Sequence, residues 1–211
     1  MPQPSAAKQS FWTRRGKRAF DLLGALLLIV LLSPLVLLCA IVIKLTSRGP
    51  VFFIQTRSGR AGVEFRAIKF RTMRGGRKPD PKELVPLHHP EITPIGRLLR
   101  RTKLDELPQL FNVLSGEMSL VGPRPTLPDQ VAAYNAFQWQ RMLVRPGLTG
   151  LAQVNSSASS PWDERIKYDV YYVHHQSIGM DLRILLKTVR VMLLGEERFA
   201  RPFDQSPYRE Q

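Results

Sequence analysis

The chain has 211 residues, 44% of them apolar, with 31 Lys and Arg against 17 Asp and Glu and a net charge of +14. That length supports one compact domain plus a membrane-seeking segment and excludes two independent cores. The basic excess points to polyanionic partners, whether nucleic acid, anionic lipid head groups or phosphorylated substrates, and a lone cysteine, Cys39, excludes an intrachain disulfide.

The first strong pattern runs from Leu22 to Leu45, LLGALLLIVLLSPLVLLCAIVIKL, whose one charge is Lys44. At about 1.5 Å per residue it is long enough to cross a hydrocarbon core about 30 Å thick. Ser33-Pro34 sits at its centre, where proline removes a backbone donor and clashes with the preceding turn, so a bend or break is expected there. Lys8, Arg14, Arg15, Lys17 and Arg18 precede the segment, and Lys44, Arg48, Arg57 and Arg60 lie at or after its end. Cations on both flanks prefer the cytoplasm, which favours a hairpin that enters and leaves by one face. From these residues a kinked span and a re-entrant hairpin both stay open. A cleaved signal peptide is disfavoured because no A-x-A-like site follows and the apolar run continues past the proline. Cys39, inside this run, reads as a small buried hydrophobe.

Beyond the turn residues 47–50, VFFIQTR and VEFRAIKF read as two short strands joined by SGRAG, with Val63, Phe65 and Ala67 on a buried face. Residues 73–93 are rich in Pro, Gly and charge and read as a surface loop; its adjacent His88 and His89 read as solvated surface. Thr93-Pro94 is a cap and first-turn proline that opens a short basic helix to Arg101. Leu107, Leu110, Phe111 and Leu114 recur at helical spacing until Ser115-Gly116. Thr126 to Val144, Pro161 to His174 and Gly179 to Leu194 read as further helices, the last amphipathic, with Arg183, Lys187 and Arg190 on one side. Residues from Phe199 onward read as a flexible tail.

The chemistry concentrates in GRLLRRTKLDELPQLFNVLSGEMSLVGPRP, residues 96–125. Pro108 is tolerated in a helix only in its first turn, which places Asp105 near the N-cap and Glu106 at the first helical position. Carboxylates there are stabilised by the helix dipole and by Arg97, Arg100, Arg101 and Lys103. An acid held ionised beside cations suits divalent-metal binding or attack on phosphorus, although an ordinary capping role fits the same pair. Lys69 and Arg71 in KFRTM, Arg124 in VGPRP and Arg145 in RPGLTG add cations on turns, suited to phosphate binding.

These motifs, in this order, resemble the bacterial sugar transferase family of polyprenyl-phosphate sugar-1-phosphate transferases, in its small monotopic form. The resemblance runs from KRAFDLLGALLLIVLLSPLVLLCAIVIKLTSRGPVFFIQTRSGRAGVEFRAIKFRTM through RPGLTGLAQVN to WDERIKYDVYYV. It implies a re-entrant segment broken at Ser33-Pro34 and a catalytic domain on the cytoplasmic face of the bacterial inner membrane. It further implies Asp105 as the nucleophile, Glu106 as a Mg²⁺ ligand, and Lys69, Arg100 and Arg124 holding phosphates or the acidic pair. Arg71 and Arg145 are further phosphate candidates. The implied substrates are a UDP-sugar and undecaprenyl or another polyprenyl phosphate, with anionic lipids as surroundings, no nucleic acid, and a homodimer left open. One departure stands out: after QVN the family often has glycine and a basic residue, whereas this chain has Ser156, Ser157, Ala158, Ser159 and Ser160.

The expected fold class is α+β and mainly α: a basic tail (1–19), a re-entrant membrane helix (20–47), a helical catalytic domain with a small β-hairpin and interfacial amphipathic helices (48–198), and a flexible tail (199–211). The rival readings are a membrane-tethered nucleic-acid binder, for which no recognition module is present, and a single-spanning scaffold.

Overall fold

The computed structural model describes residues 12, 16–74, 85, 88–157 and 159–209. Most of the basic tail, and residues 75–84 and 86–87 of the expected surface loop, lie outside them.

The first element, α1 (Lys17–Thr46), has 30 residues and is about 45 Å long. Its helical assignment continues through Pro34, so the break expected at Ser33-Pro34 does not interrupt the helix. Pro34 has no N–H to donate to the Val30 carbonyl one turn back; the Ser33 hydroxyl donates to that carbonyl instead, at 2.8 Å. One face of α1 packs on the body of the protein along most of its length. Ala25, flanked by Phe20, Leu28 and Ile29, joins the main core, while Cys39 and Ile43, flanked by Leu35, Val36 and Ala40, join a second one. The opposite face leaves Leu23, Leu26, Leu27, Val30, Leu31 and Leu37 exposed.

Both ends of α1 are fastened to that body. The buried Lys17 ammonium lies 2.9 Å from Asp21 and 3.2 Å from Asp181, and Asp21 Oδ1 also accepts from Ser119 Oγ and the Leu120 N–H. Arg18 donates to the Val113 and Leu114 carbonyls at 2.7 and 2.9 Å. At the other end, Arg71 Nη2 donates to the Ser47 carbonyl and hydroxyl at 2.8 and 2.7 Å.

The two expected strands form an antiparallel hairpin, β1 (Phe52–Ser58) and β2 (Glu64–Phe70), in a register from Phe52 opposite Phe70 to Ser58 opposite Glu64. Phe65 and Ala67 are buried as their alternation predicts. Val63 is exposed, because it closes the turn before β2 begins. The capped helix follows as α2 (Pro94–Arg101), with the Thr93 side chain accepting from the Gly96 N–H at 3.0 Å. Next, α3 (Leu110–Ser115) ends at Gly116, whose φ of 89° lets the chain turn without a Cβ penalty.

A strand pair that the sequence did not reveal then appears: β3 (Ser119–Val121) runs parallel to β4 (Gly147–Thr149). Between them, the single helix expected over 126–144 is broken into α4 (Pro128–Ala132), α5 (Ala136–Trp139) and a 3₁₀ turn, Gln140–Leu143. Asn135 causes the restart, its side chain accepting from the Gln138 N–H at 2.9 Å. Short α6 (Leu151–Asn155) leads to α7 (Trp162–His174) and α8 (Ile178–Leu194), both close to expectation. Residues 199–209, expected as a flexible tail, fold back instead: Phe203 and Tyr208 set their rings against Tyr168 and Tyr171, and Tyr168 Oη donates to the Arg201 carbonyl at 3.0 Å. The main core gathers Phe65, Leu110, Met118, Leu151, Tyr168 and Ile184 between these elements.

Candidate active site

The acidic pair is placed by a reversal of the chain after α2. Lys103 adopts the left-handed conformation, φ 57°, and opens a 3₁₀ helix, Leu104–Gln109, that runs into α3. Lys103 takes the cap position expected for Asp105, so Asp105 and Glu106 both lie inside the first turn. Pro108 sits within the same 3₁₀ helix.

Three elements converge on Glu106, which is buried. Lys69, near the end of β2, places its ammonium 2.7 Å from Oε1. Arg124, in the loop after β3, straddles the carboxylate, Nη2 to Oε1 at 2.6 Å and Nη1 to Oε2 at 3.1 Å. Burial opposes the charge, yet Arg124 and Lys69 outweigh it and hold the Glu106 carboxyl well below the usual range. Burial in turn lowers the Lys69 ammonium against the pull of Glu106.

Asp105 has the opposite balance. Burial, reinforced by the Glu106 charge, raises its carboxyl from 3.8 to about 6, while Lys69, Arg124 and Arg100 restrain the rise. No described residue donates a hydrogen bond to it. The outcome is one carboxylate locked in ion pairs beside another, proton-exchanging near neutrality and uncommitted. Such a group can serve as a nucleophile within a strongly cationic field.

Supporting contacts fix these side chains. The Asn112 amide joins α3 to β2, accepting from the Ile68 N–H at 3.1 Å and donating to the Arg66 carbonyl at 2.9 Å. That holds Lys69 over the 3₁₀ turn. Arg100 Nε donates to Thr72 Oγ1 at 2.9 Å, and its charge reaches Asp105. Behind Arg124, buried Arg141 donates to the Arg124 carbonyl at 2.9 Å, pairs with Asp169 at 2.6 Å and lies 5.2 Å from the centroid of the Trp162 ring. Arg124 and Arg141 also line a shallow depression with Ser58, Thr126 and Pro146.

Asp105, Glu106, Lys69, Arg100 and Arg124 therefore come together as the sequence suggested. Arg71 and Arg145 do not. Arg71 is buried at the C-terminal end of α1, and Arg145 Nε donates to the Gly116 carbonyl at 2.8 Å. Both cap helix ends, where exposed carbonyls and the dipole favour a cation. Among the described residues no group of three or more His, Cys, Asp or Glu gathers in a metal-binding cluster, and His89 Nδ1 accepts from the Glu91 N–H at 3.3 Å.

The sequence matches the bacterial sugar transferase family over residues 12–195, with the acidic pair and all its partners inside the matched region. The chain belongs to the bacterial sugar transferase family. It is 43% identical over 180 residues to the sugar transferase EpsL of Bacillus subtilis. It is 42% identical over 185 residues to the UDP-N-acetylgalactosamine-undecaprenyl-phosphate N-acetylgalactosaminephosphotransferase of Aeromonas hydrophila, and 41% identical over 202 residues to the undecaprenyl-phosphate glucose phosphotransferase of Komagataeibacter xylinus. These matches cover 85%, 85% and 90% of the chain, and 88%, 44% and 38% of the respective relatives. The protein is thus a transferase of phosphate-containing groups and is membrane-associated, in keeping with the apolar α1.

In this sugar transferase, sequence reasoning missed three cations around Arg124. Arg57 lies behind it; burial and the like charge of Arg124 lower its guanidinium to about 10. Arg141 is the support described above. Arg165 lies across the Trp162 ring from α7, within electrostatic reach of Arg124. An arginine beside a tryptophan at i+3 on a predicted helix was a signal available for Arg165. The departing serine segment closes on itself: Ser157 N–H donates to Ser160 Oγ at 3.0 Å, and Ser159 Oγ donates to Glu197 at 3.2 Å.

Proposed function

We propose that the protein transfers a sugar-1-phosphate from a UDP-sugar to undecaprenyl or a related polyprenyl phosphate, releasing UMP, through an aspartyl-phosphosugar at Asp105. The observation that carries the reading is the Asp105 carboxylate, raised to about 6, without a hydrogen-bond donor among the described residues, and set beside Lys69, Arg100 and Arg124. The names of the Aeromonas and Komagataeibacter relatives support the substrate class.

In the first half-reaction an Asp105 oxygen attacks the sugar-bearing phosphorus. A new P–O bond forms, the bond to the bridging oxygen breaks, and that oxygen departs with UMP. Lys69, Arg100 and Arg124 offset the charge on the phosphoryl oxygens. In the second half-reaction an oxygen of the lipid phosphate attacks the same phosphorus and frees the Asp105 carboxylate. Glu106 acts by holding Lys69 and Arg124 in place.

The donor set fits Mg²⁺, which binds through one or two carboxylates and completes its shell with water and substrate phosphate. Glu106 Oε2, which carries only the 3.1 Å bond from Arg124, would hold it, with Asp105 beside it as a second ligand. The ion would supply charge neutralisation at the diphosphate.

The seat of the reaction is the cytoplasmic membrane face. Fastening of both ends of α1 to one globular body, by Arg18 and by Arg71, supports a re-entrant course with the exposed Ser33-Pro34 at its deepest point. The exposed Leu182, Leu186, Val189 and Leu193 of α8, beside Arg183 and Arg190, suit an interfacial helix on anionic lipid.

The test is UMP release from a panel of UDP-sugars with undecaprenyl phosphate. Wild type is expected to release UMP with at least one sugar, and Asp105→Asn with none while still sedimenting with membranes. Undiminished turnover by Asp105→Asn would falsify the mechanism.

A further inference from the structure

Past α8 the chain enters a segment just beyond the family match, which ends at residue 195. Gly195, at φ 86°, redirects the backbone, and Glu196 reaches back to Lys103, Oε2 to Nζ at 2.7 Å. Lys103 is the residue whose left-handed conformation starts the Asp105 turn. The segment is held on its other side by Ser159, which donates to Glu197, and by the Arg201 N–H, which donates to the Asn155 carbonyl at 2.9 Å. The fold therefore delivers the Glu196 carboxylate to the rim of the active site.

That carboxylate stands among cations. Besides its contact with Lys103, it lies within electrostatic reach of Arg124 and of Arg165, whose guanidinium is lowered by burial and the like charge of Arg124, a loss that Glu196 partly offsets. Arg165 lies 5.7 Å from the centroid of the Trp162 ring, and its guanidinium makes no hydrogen bond or ion pair with a described residue. Arg124 is committed to Glu106. A carboxylate is the closest chemical likeness to a phosphate oxygen that a protein side chain offers, and a planar guanidinium braced on a ring is well suited to grip phosphate. The Lys103 and Glu196 side chains are 40% and 26% exposed, so water and a solute phosphate can reach the pair and screen it.

We propose that Lys103 and Arg165 form a second phosphate subsite beside Arg124, with Glu196 as the resident anion that a substrate phosphate displaces. The proposal rests on the phosphoglycosyl-transfer reading and adds to it a place for the phosphate that is not under attack by Asp105. That phosphate comes either from the nucleotide half of the donor or from the lipid acceptor. Both present the same oxyanion chemistry.

The experiment measures binding to the full chain in detergent micelles, with UDP and farnesyl phosphate titrated separately by calorimetry. Removing a competing, partly exposed carboxylate, as in Glu196→Gln, is expected to tighten binding of the responding probe about threefold, in the range of solvent-screened ion pairs. Arg165→Gln is expected to weaken binding of the same probe at least about fivefold. The opposite signs separate the subsite from a structural role, because loss of packing would weaken both variants. A response to UDP assigns the subsite to the donor; a response to farnesyl phosphate alone assigns it to the acceptor. Unchanged affinities for both probes, or shifts in the same direction, overturn the proposal. Binding needs no turnover. Opposite shifts in a protein that releases UMP from no UDP-sugar would defeat the transferase mechanism and leave the subsite standing. UMP release with unshifted affinities would defeat the subsite alone.

Discussion

Neutralising Asp105 is expected to stabilise the fold while stopping turnover. The folded-state carboxyl is raised from 3.8 to about 6, and each unit corresponds to about 1.4 kcal/mol. The ionised side chain then costs the native state at most about 3 kcal/mol at neutral pH, and about 1–2 kcal/mol once its partial exposure is allowed for. A carboxyl whose pKa is higher folded than unfolded binds its proton more tightly in the native state. Its contribution to stability is therefore full below about pH 4 and is lost as pH rises through about 6. Asp105→Asn removes that loss. Thermal unfolding in detergent at pH 7.5 is expected to show a variant about 3–8 °C more stable than wild type. At pH 4.5 the advantage shrinks to about a third of that energy. A variant that melts at or below wild type at pH 7.5 would refute the claim that this carboxylate is held under electrostatic and desolvation strain.

The remaining expectations probe its neighbours. Arg124→Met removes one of the cations that restrain Asp105, so the acid limb of the pH–rate profile is expected to move upward from about 6; an unmoved limb would separate Arg124 from Asp105. Arg141→Gln breaks a pair whose side chains are 2% and 4% exposed and leaves Asp169 buried without its cation; a loss of about 3–5 kcal/mol is expected by denaturant titration. Activity is expected to fall with it, because Arg141 supports the Arg124 carbonyl. Chelation by EDTA is expected to stop UMP release, and excess Mg²⁺ to restore it; full activity in EDTA would remove the metal from the site. Under the proposed re-entrant course, Pro34→Leu, which returns the missing N–H to α1, is expected to move the two ends of the segment to opposite faces, read by cysteine labelling on either side of it. Same-side labelling would show that proline is not what turns the chain.

Where local chemistry decides the structure, the sequence was a sufficient guide. Thr93-Pro94, Ser115-Gly116 and the two β runs each carry their own start or stop, and they fold as read. The parallel pair β3–β4 was invisible: each strand has three residues, and Gly122 and Gly147, which let the backbones approach closely, read as loop. In the candidate active site, the acidic pair, Lys69, Arg100 and Arg124 were legible because each lies in the first or last turn of a short element, near a strand end, or in the loop after a strand. Arg71 reads beside Lys69 as a second phosphate-seeking cation of KFRTM. Strand β2 ends at Phe70, however, and Arg71 turns away to the end of α1. Arg57, Arg141 and Arg165 are brought to Arg124 only by the tertiary fold. The Lys103–Glu196 pair spans residues too far apart for any local pattern to join.

Tyr172 donates to Asp181, and Asp181 and Asp21 share one ammonium, that of Lys17, in the interior of the protein. The apolar helix α1 is thus rooted by buried charge as well as by its apolar contacts. An apolar root can slide a few ångströms at little cost, whereas buried ions tolerate almost no displacement. Under the re-entrant course proposed above, immersion depth becomes a property of the polypeptide rather than of the surrounding lipid, and thin or thick bilayers should present the same distance between Ser33-Pro34 and Asp105.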